Sequence, residues 1–109
     1  MVVKAVTSLA EFKEIISQDK VSIFDFWATW CGPCRIISPV FEQFSEKISS
    51  IDFYKVDVDG ATSREISEEV GIRAMPTFIA FKGGERVGEV VGAIPQQLEA
   101  LITKHVTVA

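Results

Sequence analysis

Two features common in other classes of protein are missing from this sequence. No uninterrupted apolar run is long enough to span a bilayer, which argues against a membrane protein. There is also no block of basic residues, since 11 Lys and Arg stand against 15 Asp and Glu for a net charge of −4. This balance argues against nucleic acid as the main partner. The start, residues 1–6, lacks a long apolar segment, so we expect no signal peptide and a reducing intracellular compartment.

Cysteine and histidine are also scarce. The chain has two cysteines, too few for a disulfide-rich secreted scaffold, and one histidine. Structural zinc takes four ligands, so Cys31, Cys34 and the distant His105 would need a second chain to complete a site. The 109 residues, of which 48% are hydrophobic, suffice for one core but not for two. We therefore expect a single domain over residues 1–109.

Both cysteines lie in one stretch, Trp30-Cys31-Gly32-Pro33-Cys34. It follows an apolar run over residues 21–27 and precedes a helical pattern, and a Cys-x-x-Cys at such a strand-to-helix junction indicates a dithiol redox pair. Residues three apart at a helix start lie on one face, so the two sulfurs can meet. The helix start also favours the thiolate of Cys31, the form that attacks a disulfide. A purely structural disulfide is an alternative, although so short a loop restrains little chain entropy.

Hydrophobic periodicity predicts the element order β-α-β-α-β-α-β-β-α. The predicted strands cover residues 2–6, 21–27, 51–58, 77–81 and 86–91. Four predicted helices have apolar faces formed by Leu9, Phe12, Ile15 and Ile16; by Ile37, Phe41, Phe44 and Ile48; by Ile66 and Val70; and by Leu98, Leu101, Ile102 and Val106. The early strands alternate with helices and should pair in parallel, while the last two should form an antiparallel hairpin at Gly83-Gly84. A mixed sheet with helices on both faces follows.

Local signals set several boundaries. Residues 8–11 fit a capping box, and residues 62–65 repeat a capping pattern that begins at Thr62. Gly71 is a good helix stop. Pro39 should kink its helix because it lacks an N–H. Gly88, inside the last strand, predicts a bulge or a close backbone approach.

The chain resembles the thioredoxin family over essentially its full length. The Ala-Thr-Trp and Met-Pro-Thr segments resemble eukaryotic cytosolic members more than bacterial ones, with a fungal source as one option. The resemblance implies the thioredoxin fold, an α/β fold with a five-stranded mixed sheet flanked by four helices. The matching residues are Asp25-Phe26-Trp27-Ala28-Thr29-Trp30-Cys31-Gly32-Pro33-Cys34, Pro39, Lys55-Val56-Asp57-Val58-Asp59, Met75-Pro76-Thr77-Phe78, Gly83-Gly84 and Gly92.

The resemblance also implies a function, a protein-disulfide reductase that cycles Cys31 and Cys34 between dithiol and disulfide. No bound cofactor or metal is expected, and NADPH would act indirectly through a thioredoxin reductase. The other implied partners are disulfide-containing proteins such as peroxiredoxins and reductases, in the cytoplasm. Gly32-Pro33 marks a reductant by resemblance, whereas a histidine there would indicate a thiol oxidase or isomerase. Two competing interpretations are a thiol oxidase or isomerase, and a binding module that serves as a subunit of another complex.

Four residues receive catalytic roles. Cys31 should attack the target because the first cysteine of the motif sits at the exposed helix tip, and the more buried Cys34 should resolve the mixed disulfide. Asp25 lies in a strand that is apolar on both faces, so burial should raise the pKa of its carboxyl. Lys55, on a neighbouring strand, should partly oppose that rise. By resemblance, Asp25 sits behind Cys34 and takes its proton.

Further residues should form the target-binding surface. The resemblance implies a cis Met75–Pro76 bond that places Pro76 against Cys31. The Met75 backbone would then pair with an extended target segment, a form of strand addition. Ala74, Gly92 and Ala93 should border the same surface, although Gly92 also fits a simple turn.

The remaining singled-out side chains are assigned by position. Trp30, next to the motif, is expected in an exposed apolar rim, while Trp27 should be mainly structural. We expect His105 to lie on the surface, far from the motif. The acidic cluster Glu65, Glu68 and Glu69 is expected to form a solvated helix face.

Overall fold

The computed structural model describes residues 2–106. The predicted element order is confirmed, with boundaries that differ by a few residues at most. The strands and helices are β1 (Val3–Ala5), α1 (Leu9–Ile16), β2 (Ser22–Trp27), α2 (Gly32–Lys47), β3 (Asp52–Asp57), α3 (Arg64–Val70), β4 (Thr77–Lys82), β5 (Glu85–Val91) and α4 (Pro95–His105).

The strands form one mixed sheet in the order β1-β3-β2-β4-β5. The first three strands of the chain pair in parallel, with β3 between β1 and β2. Strand β4 is antiparallel to β2, and β5 is antiparallel to β4. Strand β2 is therefore the centre of the sheet, as its apolar composition predicted.

Two apolar cores cover the two faces of this sheet. Helices α2 and α4 pack on one face, and α1 and α3 on the other. Side chains alternate along a strand, so Ile23 points to the α2 face while Phe24 and Phe26 point to the α1 face. By the same alternation, Asp25 shares a face with Ile23. The carboxyl of Asp25 is thereby directed toward the helix that carries the cysteines.

The helix boundaries agree only partly with the local signals. The Ser8 hydroxyl accepts a hydrogen bond from the Glu11 N–H at 3.1 Å, which confirms the first cap. The cap predicted at Thr62 is wrong, because the N-cap of α3 is Ser63. The Ser63 hydroxyl makes no capping bond and instead donates to the Asp57 carbonyl at 2.6 Å, closing the turn after β3. Gly71 ends α3 with φ 82°, as predicted.

Gly88 lies at a bulge, as predicted, and the groups that approach it closely are side chains. The β4–β5 register passes from Ala80 opposite Gly88 to Phe81 opposite Arg86, so β5 bulges there. A Cβ on Gly88 would lie 2.6 Å from Cδ1 of Leu101 and 3.3 Å from Nε2 of His105. The expectation of a surface His105 is therefore wrong: this side chain is partly buried against the bulge, because the missing side chain at Gly88 leaves space for it.

The acidic cluster on α3 is exposed, as predicted. Helix α2 continues on both sides of Pro39, so the proline does not end it. Within residues 2–106, no helix is long and apolar enough to cross a membrane.

Candidate active site

Cys31 is the N-cap residue of α2. Its backbone is extended, and its sulfur accepts a hydrogen bond from the Cys34 N–H at 3.2 Å. The two cysteines form a disulfide with their Cα atoms 5.3 Å apart. Pro33 occupies the first turn, where its missing N–H costs no helix hydrogen bond. After reduction, the same amide and the positive helix end would stabilise a thiolate on Cys31.

The predicted difference in exposure between the cysteines is absent. Cys31 is 4% exposed and Cys34 is 3% exposed. In the disulfide both residues pack against Ala28, with Trp27 and Met75 beside them, so the Cys31 sulfur is covered as well. Accessibility in this oxidised form therefore does not assign their roles.

A cavity of about 300 Å³ distinguishes the two cysteines instead. Cys34 contributes to its wall and Cys31 does not. Arg35 lies at the same cavity, and its guanidinium donates to the Thr29 carbonyl at 2.7 Å. The lining consists of Asp25, Trp27, Ala28, Thr29, Cys34, Arg35, Ser38, Pro39 and Lys55. The second cysteine therefore lines the same space as the buried carboxyl.

Asp25 is 3% exposed, and its Oδ1 has no hydrogen-bond partner in the described part of the chain. Burial raises the pKa of Asp25 from 3.8 to about 7, while Lys55 lowers it and Glu42 raises it further. Lys55 is the register partner of Asp25 on β3. Its ammonium also lies 5.9 Å from the centre of the Trp27 ring. The predicted direction of the Asp25 shift and the opposing effect of Lys55 are both confirmed.

Trp30 is 67% exposed, which fits the predicted rim. Its indole Nε1 donates to Oδ2 of Asp59 at 2.6 Å, and the Asp59 N–H in turn donates to Oδ1 of Asp57 at 2.9 Å. Sequence reasoning missed this role of Asp59, since no local pattern links residues so far apart in the chain. Trp27 is partly buried, and its Nε1 has no partner among the described residues.

The Met75–Pro76 bond is cis, as expected. The Pro76 carbonyl accepts from the Gly92 N–H at 2.9 Å, and the Ala74 carbonyl accepts from Oγ1 of Thr77 at 2.6 Å. Between them, the Met75 N–H and C=O have no hydrogen-bond partner within residues 2–106. The Met75 side chain packs against the cysteine cluster. The fold therefore leaves one free backbone unit beside the disulfide.

Two further residues predicted to border the target-binding surface, Gly92 and Ala93, follow β5. Gly92 has φ 106°, a left-handed conformation that favours glycine, so the turn interpretation of this residue is also correct. Ala93 packs against the core on the α4 side of the sheet. Among the described residues, no group of three or more His, Cys, Asp and Glu side chains is arranged to hold a metal ion.

Comparisons with known proteins agree with this geometry. The family profile described as Thioredoxin matches residues 3–104. Thioredoxin-1 of Schizosaccharomyces pombe is 53% identical over 100 residues, which cover 92% of this chain and 95% of that protein. The crystal structure of Malassezia sympodialis thioredoxin superposes with a TM-score of 0.90 at 50% identity, covering 96% of this chain and 94% of that one.

A third match comes from work on the thiol resolving mechanism of yeast mitochondrial 1-Cys peroxiredoxin via glutathione and thioredoxin systems. It is 36% identical, with a TM-score of 0.86 and 94% coverage of both chains. Family, fold and cysteine pair agree, so the chain belongs to the thioredoxin family and is a thiol-disulfide oxidoreductase that reduces protein disulfides.

Proposed function

We propose that Cys31 attacks target disulfides and that Cys34 resolves the resulting intermediate. The Cys31 thiolate attacks one sulfur of the target, forming a mixed disulfide and releasing the other target sulfur as a thiolate. The Cys34 thiolate then attacks the Cys31 sulfur and displaces the remaining target sulfur. The target gains an electron pair and becomes a dithiol, while Cys31 and Cys34 form the disulfide.

The asymmetric surroundings of the two sulfurs support this order. The Cys31 sulfur accepts a hydrogen bond from the Cys34 N–H in the first turn of α2, and this N–H would stabilise a thiolate on Cys31 after reduction. Cys34 is the third residue of α2 and lines the cavity. Its thiol must lose a proton before it can attack, so this step needs a base.

Asp25 is the proposed base for Cys34. Its carboxyl lines the same cavity, and burial raises its pKa to about 7, so it can accept a proton near neutral pH. The cavity is large enough for water to relay that proton. Lys55 is the proposed fourth catalytic-site residue, because its charge keeps the pKa of Asp25 from rising beyond this range.

The target segment is proposed to bind by strand addition at Met75. The free N–H and C=O of Met75 supply the hydrogen bonds. The surface beside Met75 is proposed to consist of small or buried residues that leave room for a peptide, namely Ala74, Pro76, Gly92 and Ala93. The exposed ring of Trp30 would make apolar contact with the target. Gly32 and Pro33 are proposed to favour activity as a reductant, because Pro33 stiffens the segment between the two cysteines.

The biological setting is part of the same proposal. The family implies a thioredoxin reductase as electron donor, with NADPH used indirectly, and disulfide-containing proteins as targets. Because one structural match comes from work on a peroxiredoxin, peroxiredoxins are proposed among those targets, together with other reductases. We also propose that residues 1–109 act as a single domain in the cytoplasm.

An NADPH-coupled insulin reduction assay with a thioredoxin reductase tests this function. We expect NADPH oxidation that depends on this chain and is abolished by Cys31→Ser. NADPH oxidation without insulin reduction would mean that the chain accepts electrons but does not reduce proteins. A measured redox potential in the range of oxidases would favour the competing oxidase or isomerase activity.

A further inference from the structure

A second depression, of about 200 Å³, opens beside the proposed target-binding loop. Ala74 forms part of its edge, so it begins next to the free backbone of Met75. Val91 lines it from β5, where it pairs with Thr77 and is 51% exposed. A peptide strand added at Met75 would therefore extend a neighbouring side chain toward this depression.

Two arginines line this depression, and they differ in their bonding. The guanidinium of Arg86 donates to Oε1 of Glu89 at 2.8 Å and to the carbonyl of Val70. Its charge is thus compensated within the fold. Arg73 is exposed and has no ion pair or hydrogen bond with another residue of the 2–106 segment. The depression, which we call the Arg73 pocket, therefore presents one uncompensated positive charge.

We propose that the Arg73 pocket binds an acidic side chain of the target, close in sequence to the attacked cysteine. This inference depends on the strand addition at Met75 proposed above. A guanidinium presents paired donors that match a carboxylate, so Asp or Glu is the side chain it recognises best. The small Ala74 side chain leaves room for the carboxylate stem, and the exposed methyl groups of Val91 give that stem an apolar contact.

The charge of the whole chain makes this pocket selective in orientation. At a net charge of −4 the protein repels an acidic peptide overall, so the Arg73 pocket favours the one docking register that brings the carboxylate to it. The pocket thus selects both the sequence around the target cysteine and the direction in which the segment lies. Backbone pairing at Met75 does not discriminate between target side chains, so the Arg73 pocket would supply the side-chain specificity.

Single-turnover reduction of short disulfide peptides by the prereduced protein tests the Arg73 pocket. The peptides carry Asp, Asn or Lys at one position on either side of the attacked cysteine. At one of these positions we expect Asp to be reduced about two- to fivefold faster than Asn, and Lys more slowly, which is the range of an exposed ion pair. The preference should shrink between about 0.05 M and about 0.5 M salt, because salt screens exposed charges.

Three variants identify the group responsible. Arg73→Gln should abolish the preference for Asp, and Arg73→Glu should reverse it in favour of Lys. Arg64→Gln is the matched control: it makes the same change in net charge, from −4 to −5, at an exposed arginine of α3 outside the pocket. It should keep the preference of the wild type.

Two results would overturn the inference while leaving the proposed function intact. One is equal reduction of the Asp, Asn and Lys peptides by the wild type at both positions. The other is an equal loss of preference in the Arg73 and Arg64 variants, which would assign it to overall charge. Failure to reduce any peptide, the Asn peptides included, would instead contradict the proposed function itself and the Arg73 pocket with it.

Discussion

Asp25 and Lys55 are register partners on the parallel strands β2 and β3. The carboxyl is buried, whereas the ammonium reaches out over the Trp27 ring. Burial raises the pKa of Asp25, and the Lys55 charge holds that rise at about 7. The pair therefore provides a buried proton acceptor whose pKa lies close to neutral pH. Burying this carboxyl lowers the stability of the folded state.

Replacing Asp25 by Ala should stabilise the protein above neutral pH. A carboxyl with a raised folded pKa binds its proton more tightly in the folded state, so stability is lost as pH rises from 3.8 to about 7. The full penalty is on the order of 4 kcal/mol above both values, less the cost of the cavity left by the deletion. Urea unfolding at about pH 5 and about pH 8 should show the mutant's advantage growing by roughly 2 to 3 kcal/mol. The resolving step should slow in the same variant.

Asp19→Ala is a matched control, because Asp19 is exposed and far from the cysteines in the sequence. It should change neither the pH dependence of stability nor the kinetics. An Asp25→Ala protein that is less stable than wild type at pH 8, with unchanged kinetics, would remove Asp25 from the proposed mechanism.

Replacing Lys55 by Gln should raise the pKa of Asp25 above its wild-type value. The substitution removes the one charge that lowers this pKa and leaves burial and the Glu42 charge in place. The pH at which the resolving step reaches half its maximal rate should therefore move upward. Lys20→Gln, at an exposed lysine paired with Asp52, is the control and should leave that pH unchanged. A downward shift in the Lys55 variant would contradict the electrostatic account.

His105 should make the fold sensitive to mild acid. Burial lowers its pKa below 6.5, as does the charge of Lys104, while a hydrogen bond to the Val87 backbone acts in the opposite direction and Lys82 adds to the lowering. The unfolded chain then takes up a proton first, so stability falls as pH drops below 6.5 toward the folded value. Thermal unfolding of His105→Gln should depend less on pH in this window. An identical pH dependence in wild type and mutant would contradict this prediction.

Gly88→Ala should destabilise the protein by about 1 to 3 kcal/mol, the usual range for overpacking. The added methyl would meet Leu101 and His105 within the packing of α4 on β5. Leu101→Ala introduced in the same chain should relieve part of this cost, and urea unfolding of the single and double variants measures the coupling. Strictly additive effects would show that the clash is absorbed elsewhere.

Much of the fold could be predicted from the sequence because its signals are local and repeated. The alternation of apolar residues and the turn at Gly83-Gly84 determine which segments form strands and how the hairpin closes. The N-cap of α3 is Ser63 rather than Thr62, and the Ser63 hydroxyl donates to the Asp57 carbonyl six residues earlier instead of capping the helix. The capping pattern alone does not show which hydroxyl takes part in the turn after β3.

The candidate site was predictable in its residues but not in all of its contacts. The motif and the apolar strand around Asp25 indicated the redox pair and the buried acid. The bond from Trp30 to Asp59 joins two segments that only the folded sheet brings together. The equal burial of Cys31 and Cys34 likewise follows from how the closed disulfide packs, which spacing alone does not reveal.

The order of attack is the central claim, and trapping of the mixed disulfide tests it most directly. Reduced Cys34→Ser and Cys31→Ser proteins are mixed with insulin, and covalent adducts are measured by mass spectrometry. We predict that Cys34→Ser accumulates an adduct joined through Cys31, because the attack proceeds and the resolving thiol is missing. Cys31→Ser should form none. An adduct that accumulates on Cys34 in Cys31→Ser, with none in Cys34→Ser, would contradict the account and reverse the two roles.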